Sequence, residues 1–191
     1  MIEYMYRDEV NIEVVEIDKN LDEYEQVNLF LKDNKSLHFL RIGFDKYPAG
    51  RDVLENKNCW EYFYEQVQIP HNVRTSYFYV ERDEQAELDL LNELNPKKNP
   101  YIFVHDDPDR GYNVNEEHLP KDLHIIRNDT TKNIFHFLKV LEDAQEIHCM
   151  ESSFKSLIDF YSKTPHLYYH DFRGHPLGNK TNREWNIVNY A

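Results

Sequence analysis

The sequence predicts an α/β protein: a Rossmann-like parallel sheet with helices on both faces, preceded by a small α/β segment. Short β-branched and apolar runs alternate with segments whose apolar residues recur at helical spacing, which is the pattern of strands joined by helices. The run Tyr101–His105, YIFVH, is almost wholly apolar, which is typical of a central parallel strand buried on both faces. The length of 191 residues suffices for one full domain, or for one domain and part of another.

The first predicted segment, residues 1–76, is a small or truncated α/β unit. Residues 10–17, VNIEVVEI, and 37–44, LHFLRIGF, are rich in β-branched and apolar side chains and predict two strands. Asn20, with a glutamate at the third position after it, resembles a capping box. A helix is therefore expected over residues 21–32.

A second helix of this segment is expected after Asn58, where four apolar residues fall on one helix face. They are Trp60, Phe63, Tyr64 and Val67. Such an aromatic stripe ordinarily packs into the core, and contact with a cofactor is the rarer alternative. Pro70 limits the helix, and the connector of residues 70–82 is the expected region of the domain boundary.

The second predicted segment, residues 77–191, carries the parallel sheet. Asp83 is expected to cap a helix that ends near Asn95. The other expected elements are strands at 77–80, 101–105, 123–127, 146–150 and 166–170, a helix that begins at Thr130 or Thr131, and a helix that begins at Ser152 or Ser153. Residues 171–191 are expected to form a polar tail. Its candidate docking anchors are Trp185, Ile187 and Val188.

Composition restricts the partners. The net charge is −13 and no basic run concentrates positive charge, so nucleic acid and anionic membranes are disfavoured as partners. No apolar run is long enough for a membrane span, and the N-terminus lacks the pattern of a secretory signal. Cys59 and Cys149 are the two cysteines and form no CxxC pair, which favours a reducing compartment and predicts a cytoplasmic protein.

A strand, a tight turn and a helix are predicted within residues 146–161, EIHCMESSFKSLIDFY. Ligands of open α/β sheets bind outside the carboxyl ends of the strands, and a helix N-terminus there attracts phosphate. Ser152 and Ser153 can donate to phosphate oxygens, or they can simply cap the helix. Glu151 can contact ribose or a base edge, or merely favour the helix dipole. His148 can contact a ligand, or it can be an ordinary core residue.

The loop of residues 105–112, HDDPDRGY, leaves the carboxyl end of the predicted central strand, on the same edge of the sheet as the serine turn. In one interpretation, Arg110 clamps a diphosphate through its planar guanidinium group. Arg127 would reach the same edge from the end of the next strand. His105 would orient the ligand or a partner side chain.

Two alternatives remain for this loop. Asp106, Asp107 and Asp109 supply the oxygen ligands that Mg²⁺ or Mn²⁺ prefers, or they belong to a solvated acidic turn without a ligand. A histidine metal site is not expected near the C-terminus. His166 and His170 share a face of an extended strand but lie about 13 Å apart along it.

The segments YIFVHDDPDR and EIHCMESSF resemble the C-terminal, nucleotide-sugar-binding half of GT-B glycosyltransferases, most nearly the fucosyltransferase-like group that uses GDP-sugars. The resemblance covers residues 101–161, and the paired arginines of the family's first motif are absent. It implies that residues 77–191 are the nucleotide-sugar-binding domain and that residues 1–76 are the remnant of an acceptor-side domain. It also implies transfer of a sugar from a GDP-sugar donor to a glycan or small-molecule acceptor, without a metal or another cofactor.

The resemblance also implies roles for individual residues. The implied donor-binding residues are Arg110, Arg127, His148, Glu151, Ser152, Ser153 and Phe154. Among them, the arginines and the serine turn are assigned to the diphosphate, and His148 or Glu151 to the ribose or the base. His105 is the candidate catalytic residue, because it would organise the same edge of the sheet.

Two other functions remain open. A metal-assisted hydrolase could use the loop of residues 105–109, and substitution of Asp106 and Asp107 would then abolish metal binding. The chain could instead be a non-catalytic binding or assembly protein with a degenerate nucleotide site. Self-association without any effect of nucleotide would favour that function.

Overall fold

The structure is a computed structural model that describes residues 2–35, 38, 42, 59–172 and 183–190. The chain divides into two compact units, an N-terminal unit, Ile2–Val80, and a C-terminal unit, Glu81–Ala191. The C-terminal unit contains the sheet and all the candidate site residues.

The described part of the N-terminal unit is helical. It contains α1 (Ile2–Met5), α2 (Glu23–Asp33), α3 (Cys59–Gln66) and α4 (Val73–Ser76). The helices predicted at the positions of α2 and α3 are confirmed. The cap of α2 is Asp22 rather than Asn20, because the Asp22 carboxylate accepts a hydrogen bond from the backbone N–H of Glu25 at 2.8 Å. Asn58, the expected cap of α3, lies outside the described residues.

Two predicted strands of this region do not form. Residues 10–17 and 77–80 have no strand structure, so both predictions are wrong. Val10, Ile12, Val15 and Ile17 are exposed. A strand needs a neighbour that completes its hydrogen bonds and covers its side chains, and no described residue supplies one here. The strand predicted at residues 37–44 lies outside the described residues apart from positions 38 and 42.

The C-terminal unit is built on a five-stranded parallel sheet. The strands are β1 (Tyr101–His105), β2 (His124–Arg127), β3 (Glu146–Cys149), β4 (Leu167–Asp171) and β5 (Asn186–Asn189), in the order β2-β1-β3-β4-β5. The predicted α/β fold with a parallel sheet is therefore confirmed. Strand β5 was not predicted, because its sequence, NIVN, is short and lies within the segment expected to be a polar tail.

The helices of this unit pack on one face of the sheet. They are α5 (Glu84–Leu94), α6 (Leu138–Asp143) and α7 (Ser153–Tyr161), with a 3-10 turn, Ile134–Phe137, directly before α6. The Phe103 ring lies 5.9 Å from the Phe137 ring and 5.3 Å from the Phe154 ring. Asp83 caps α5 as predicted. The turn before α6 is capped by Asn133 rather than by Thr130 or Thr131.

A loop, residues 106–123, covers the other face. Its apolar residues Val114 and Leu119 pack on Ile102 and Val104 of β1. The helical part of this loop consists of two 3-10 turns of three residues each. The prediction of helices on both faces is therefore wrong for the described part of this unit, where helices cover one face and a loop covers the other. The reason is local, because this polar, proline-containing stretch has no apolar stripe at helical spacing.

The strand order sets the position of a ligand crevice. From β1 the chain crosses to β2 on one side, and β3 lies on the other side of β1. The connections that leave the carboxyl ends of β1 and β3 therefore run in opposite directions. Such a topological switch point is where open α/β sheets bind ligands.

Candidate functional site

The switch point brings His105 of β1 against the serine turn that follows β3. The backbone N–H of Met150 donates to the His105 carbonyl at 3.3 Å. The rings of His105 and Phe154 lie 4.6 Å apart, and Phe154 is in the first turn of α7. His105, Phe154 and the turn of Ser152 and Ser153 are thus neighbours.

His105 is largely enclosed at this edge. Burial lowers the pKa of its imidazole, and a hydrogen bond with the Asn128 side chain and the charges of Asp106 and Asp107 offset this only in part. The ring is therefore neutral at pH 7. Within the described part of the chain its Nδ1 atom is buried without a hydrogen-bond partner.

Arg110 is held by its own loop. Its guanidinium group pairs with the Asp107 carboxylate, and its backbone N–H donates to the same carboxylate at 3.3 Å. The hydrogen bond from Arg110 keeps the pKa of Asp107 below its usual range. Gly111 closes the turn with a φ of 78°, a conformation that favours glycine. Arg110 is 60% exposed, so its ion pair with Asp107 is open to water. Another anion can therefore readily replace the Asp107 carboxylate.

Arg127 also pairs with an aspartate of this loop. Its partner Asp106 is only 4% exposed and accepts a second hydrogen bond from the backbone N–H of Val114 at 3.2 Å. The two arginines proposed for a diphosphate therefore contact separate aspartates. Across the described residues, no three His, Cys, Asp or Glu side chains lie close enough to hold a metal ion, so the geometry gives the aspartates no support as a metal site.

The serine turn has a cation that the sequence analysis missed. Ser152 occupies the N-cap position of α7 without a side-chain capping bond, and its Oγ lies 3.8 Å from the Cys149 Sγ. Lys155 is only 2% exposed, and its Nζ lies 3.4 Å from a carboxylate oxygen of Glu151. A glutamate followed four positions later by a lysine is a recognisable helix pair, so the pairing was visible in the sequence. The burial of Lys155 was not visible in the sequence, because it depends on Tyr169 of β4, whose ring lies 5.9 Å from the ammonium group.

A pocket of about 510 Å³ lies beside this turn. Its lining residues are Asp129, Thr130, Thr131, Lys132, Asn133, Ile134 and Phe154. Six of these seven follow the carboxyl end of β2, a segment that the sequence analysis considered only for helix capping. Its signal was the cluster of threonine, lysine and asparagine after a strand end, which is where loops of open α/β sheets bind ligands.

The pocket wall combines apolar, hydroxyl and charged groups. The carboxylate of Asp129 accepts hydrogen bonds from the backbone N–H and the hydroxyl of Thr131, at 2.8 and 2.6 Å, and these bonds lower the pKa of Asp129. The Lys132 ammonium lies 2.8 Å from a carboxylate oxygen of Glu93. Both partners of this pair are exposed enough for a bound phosphate to compete with Glu93.

His148 is not part of this edge. Its side chain is fully buried on the loop-covered face of the sheet, and its Nδ1 lies 2.9 Å from the Nε2 of His170 in β4. The Nδ1 of His170 in turn lies 2.6 Å from the Tyr190 hydroxyl. This pairing was missed because it joins neighbouring strands, and neither histidine is near the other in the sequence.

No family model matches the chain, and no curated protein and no solved structure matches it significantly. The resemblance to GT-B glycosyltransferases therefore stays a prediction that depends on the two motifs. No helix among the described residues is long and apolar enough to cross a bilayer.

Proposed function

We propose that the C-terminal unit binds a nucleoside-diphosphate sugar, with a GDP-sugar favoured, and that the protein transfers the sugar to a glycan or small-molecule acceptor in the cytoplasm. The observation that supports this most is the pocket of about 510 Å³ beside Phe154, at the edge where the two resembling motifs meet. Pockets of about 300–1,000 Å³ are typical for small ligands, so a nucleotide is of suitable size.

The pocket wall suits the parts of a nucleotide. Phe154 and Ile134 offer apolar surface to a base. Lys132 offers an ammonium group, and Thr130 a hydroxyl group, to phosphate oxygens. In this proposal Lys132 exchanges its exposed carboxylate partner, Glu93, for the diphosphate.

The neighbouring serine turn supports the same ligand. Ser152 and Ser153 lie at the N-terminus of α7, where backbone N–H groups and the helix dipole favour phosphate. The buried Lys155 adds a positive charge one turn into the helix, which offsets the negative charge of Glu151. Arg110 is exposed and can exchange Asp107 for a phosphate, whereas Arg127 is tied to a buried carboxylate.

In the proposed reaction, the acceptor hydroxyl oxygen attacks the anomeric carbon of the sugar and the bond to the diphosphate breaks. Electrostatic stabilisation of the departing diphosphate lowers the barrier. In this proposal His105 receives the hydroxyl proton, since a neutral imidazole can act as a general base.

The binding test is calorimetry and thermal denaturation of the full chain with GDP, UDP, ADP and CMP, each with and without magnesium. One nucleotide is expected to stabilise the protein without magnesium, since a ligand of the folded state alone raises its stability. Lys132→Ala should weaken that binding about tenfold, because it removes one charge-assisted hydrogen bond. The matched control is Lys163→Ala, a surface lysine paired with Glu142 on the helical side, which should bind as the wild type does.

Three outcomes contradict parts of this proposal. If no nucleotide stabilises the protein, the donor site is absent. If Lys163→Ala weakens binding as much as Lys132→Ala, the effect is one of net charge and the pocket is not the site. If nucleotide binds but no GDP is released from a GDP-sugar with any acceptor, the protein is a binding protein rather than an enzyme.

A further inference from the structure

A chain of polar side chains, with two fully buried histidines at its centre, crosses the loop-covered face of the sheet. Glu146 and His148 of β3, His170 of β4 and Tyr190 after β5 follow one another. The His148 Nε2 lies 3.5 Å from a Glu146 carboxylate oxygen, the two imidazoles lie 2.9 Å apart, and the His170 Nδ1 lies 2.6 Å from the Tyr190 hydroxyl. His148 is 0% and His170 1% exposed. None of these four side chains lines the pocket of the proposed nucleotide site. The sequence suggested a ligand contact for His148, but its side chain lies away from that edge.

One order of protons fits the contacts between these side chains. The Tyr190 oxygen accepts the backbone N–H of Asn115 at 3.3 Å, and its own hydrogen can then be donated to the His170 Nδ1. The His170 Nε2–H next donates to the His148 Nδ1, and the His148 Nε2–H faces the Glu146 carboxylate. The reverse order would place a nitrogen lone pair against that carboxylate. Each histidine thus fits the chain as a neutral imidazole.

Burial keeps both histidines neutral. It lowers the pKa of His170 to about 3 and that of His148 to about 4. The positive charge that His118 can carry acts in the same direction, since its ring lies 6.2 Å from that of His170.

The acidic groups around these side chains do little to stabilise a proton on His170. Glu117 lies 3.8 Å from His118 and is 69% exposed, so water screens it. Asp106 faces Tyr190 from the loop, but its charge is matched by Arg127. Glu146 is partly exposed, and it contacts His148 rather than His170. Among the described residues, no unpaired buried carboxylate would therefore stabilise a proton on His170.

Tyr190 joins two segments to the sheet. Its ring packs 4.2 Å from the Phe172 ring, and its hydroxyl group bonds both His170 and the Asn115 amide of the covering loop. The other end of the same terminal segment is held differently. There the Arg183 guanidinium group donates to the Ser162 carbonyl at 2.6 Å.

We propose that Tyr190, His170 and His148 form an acid-sensitive latch, which holds the end of β5 and the loop at Asn115 on the sheet at neutral pH and releases them when His170 is protonated. This device is independent of nucleotide binding. The latched state is fully stable above the ordinary histidine pKa of about 6.5 and loses stability about tenfold per pH unit below it. The loss continues towards the folded-state pKa of His170, about 3.

Residue-level hydrogen exchange of the full chain tests this between about pH 7.5 and about pH 5, after correction for the intrinsic exchange rate. At the Asn115 amide and in β5, the ratio of open to closed states is expected to rise about 30-fold over this range. Amides of β1 should stay protected. A flat response at Asn115, or an equal response in β1 that signals global unfolding, would overturn the proposal.

Variants separate the latch from general packing. His170→Phe keeps a ring but cannot titrate, so opening at Asn115 should become independent of pH. Tyr190→Phe keeps the ring that packs on Phe172 and loses the hydroxyl group, so opening should rise about fivefold at every pH while the slope remains. His124→Gln changes an exposed histidine at the start of β2 and should leave the profile unchanged.

If His170→Phe does not fold, a measurement on the wild type tests the latch instead. The imidazole Cε1–H resonance of His170 should show no titration between about pH 8 and about pH 5. Titration of His170 near the ordinary histidine pKa, or a His170→Phe variant that folds and keeps the full pH slope, would refute the latch.

Discussion

The two faces of the sheet are covered by different kinds of structure, and their buried residues differ accordingly. Helices cover one face, where Phe103, Phe137, Leu138, Leu141 and Ile158 are almost completely buried. A loop covers the other, where Asp106 and the strand histidines His148 and His170 are buried, whereas the buried charges of the helical side, Glu87 and Lys155, belong to the helices. The same strands supply both faces, because side chains alternate along a strand.

The difference follows from backbone hydrogen bonding. A helix satisfies most of its own N–H and C=O groups, so it can lie on a purely apolar surface. A loop cannot, and its buried N–H groups need partners from elsewhere. Asp106 accepts the Val114 N–H, and Tyr190 accepts the Asn115 N–H. Polar side chains on this face thus supply acceptors that the covering loop needs.

The largest effect should come from the helix-covered face. Phe103→Ala removes a fully buried ring that contacts both Phe137 and Phe154, and the expected loss is about 3–5 kcal/mol in the free energy of unfolding. Urea denaturation measures it. Leu88→Ala, at an exposed position of α5, is the control and should change stability little. A small loss for Phe103→Ala would mean that this face is not the main core.

Asp106→Ala tests the polar anchor of the loop-covered face. It leaves the buried Val114 N–H without its acceptor and removes the partner of Arg127, so a loss of about 2 kcal/mol is expected. Asp106→Asn keeps an oxygen for Val114 and should lose less. Asp109→Ala, an exposed aspartate of the same loop, should be silent in the same denaturation experiment. Equal losses for the two alanine variants would contradict the anchoring role.

Tyr101→Phe tests a polar group on the helical face. The Tyr101 hydroxyl donates to the Val140 carbonyl at 2.9 Å, and burial raises the pKa of this phenol. Phenylalanine preserves the ring and leaves no unsatisfied donor, so a loss of about 1 kcal/mol is expected by the same measurement. A loss greater than that of Asp106→Ala would reverse the proposed difference between the faces.

Arg110→Ala should have the smallest effect. Arg110 and Asp107 form an exposed pair, which side-chain entropy and screening make nearly neutral for stability. The denaturation midpoint should therefore match that of the wild type, although nucleotide affinity falls if Arg110 contacts the diphosphate. A clear loss of stability would show that the turn of this loop depends on the pair.

The sequence predicted much of the helical and sheet structure because local signals and burial agreed there. Tyr101–His105 is apolar enough to be a central strand, and Asp83 is an effective helix cap in any context. Residues 10–17 show the opposite case. Their β-branched composition is a local preference, and a strand also needs a partner that the described residues do not provide.

The candidate site was predictable only in part for a similar reason. Its position at the carboxyl ends of β1 and β3 follows from the alternation of strands and helices, and the neighbouring positions of His105 and Phe154 agree with it. The sequence did not indicate that residues 129–134 line a pocket or that Lys155 is buried. Both depend on which elements pack beside them, and that information is not local.

By itself, the sequence determined the α/β class, the central strand, the helices with clear caps and stripes, and the edge of the sheet on which polar residues gather. Tertiary structure alone decided that a loop covers one face, that Arg127 pairs with Asp106, and that His170 meets both His148 and Tyr190. Propensity and periodicity act over a few neighbouring residues, whereas these contacts join positions about 20 or more residues apart in most cases, and only the packing of the strands brings them together.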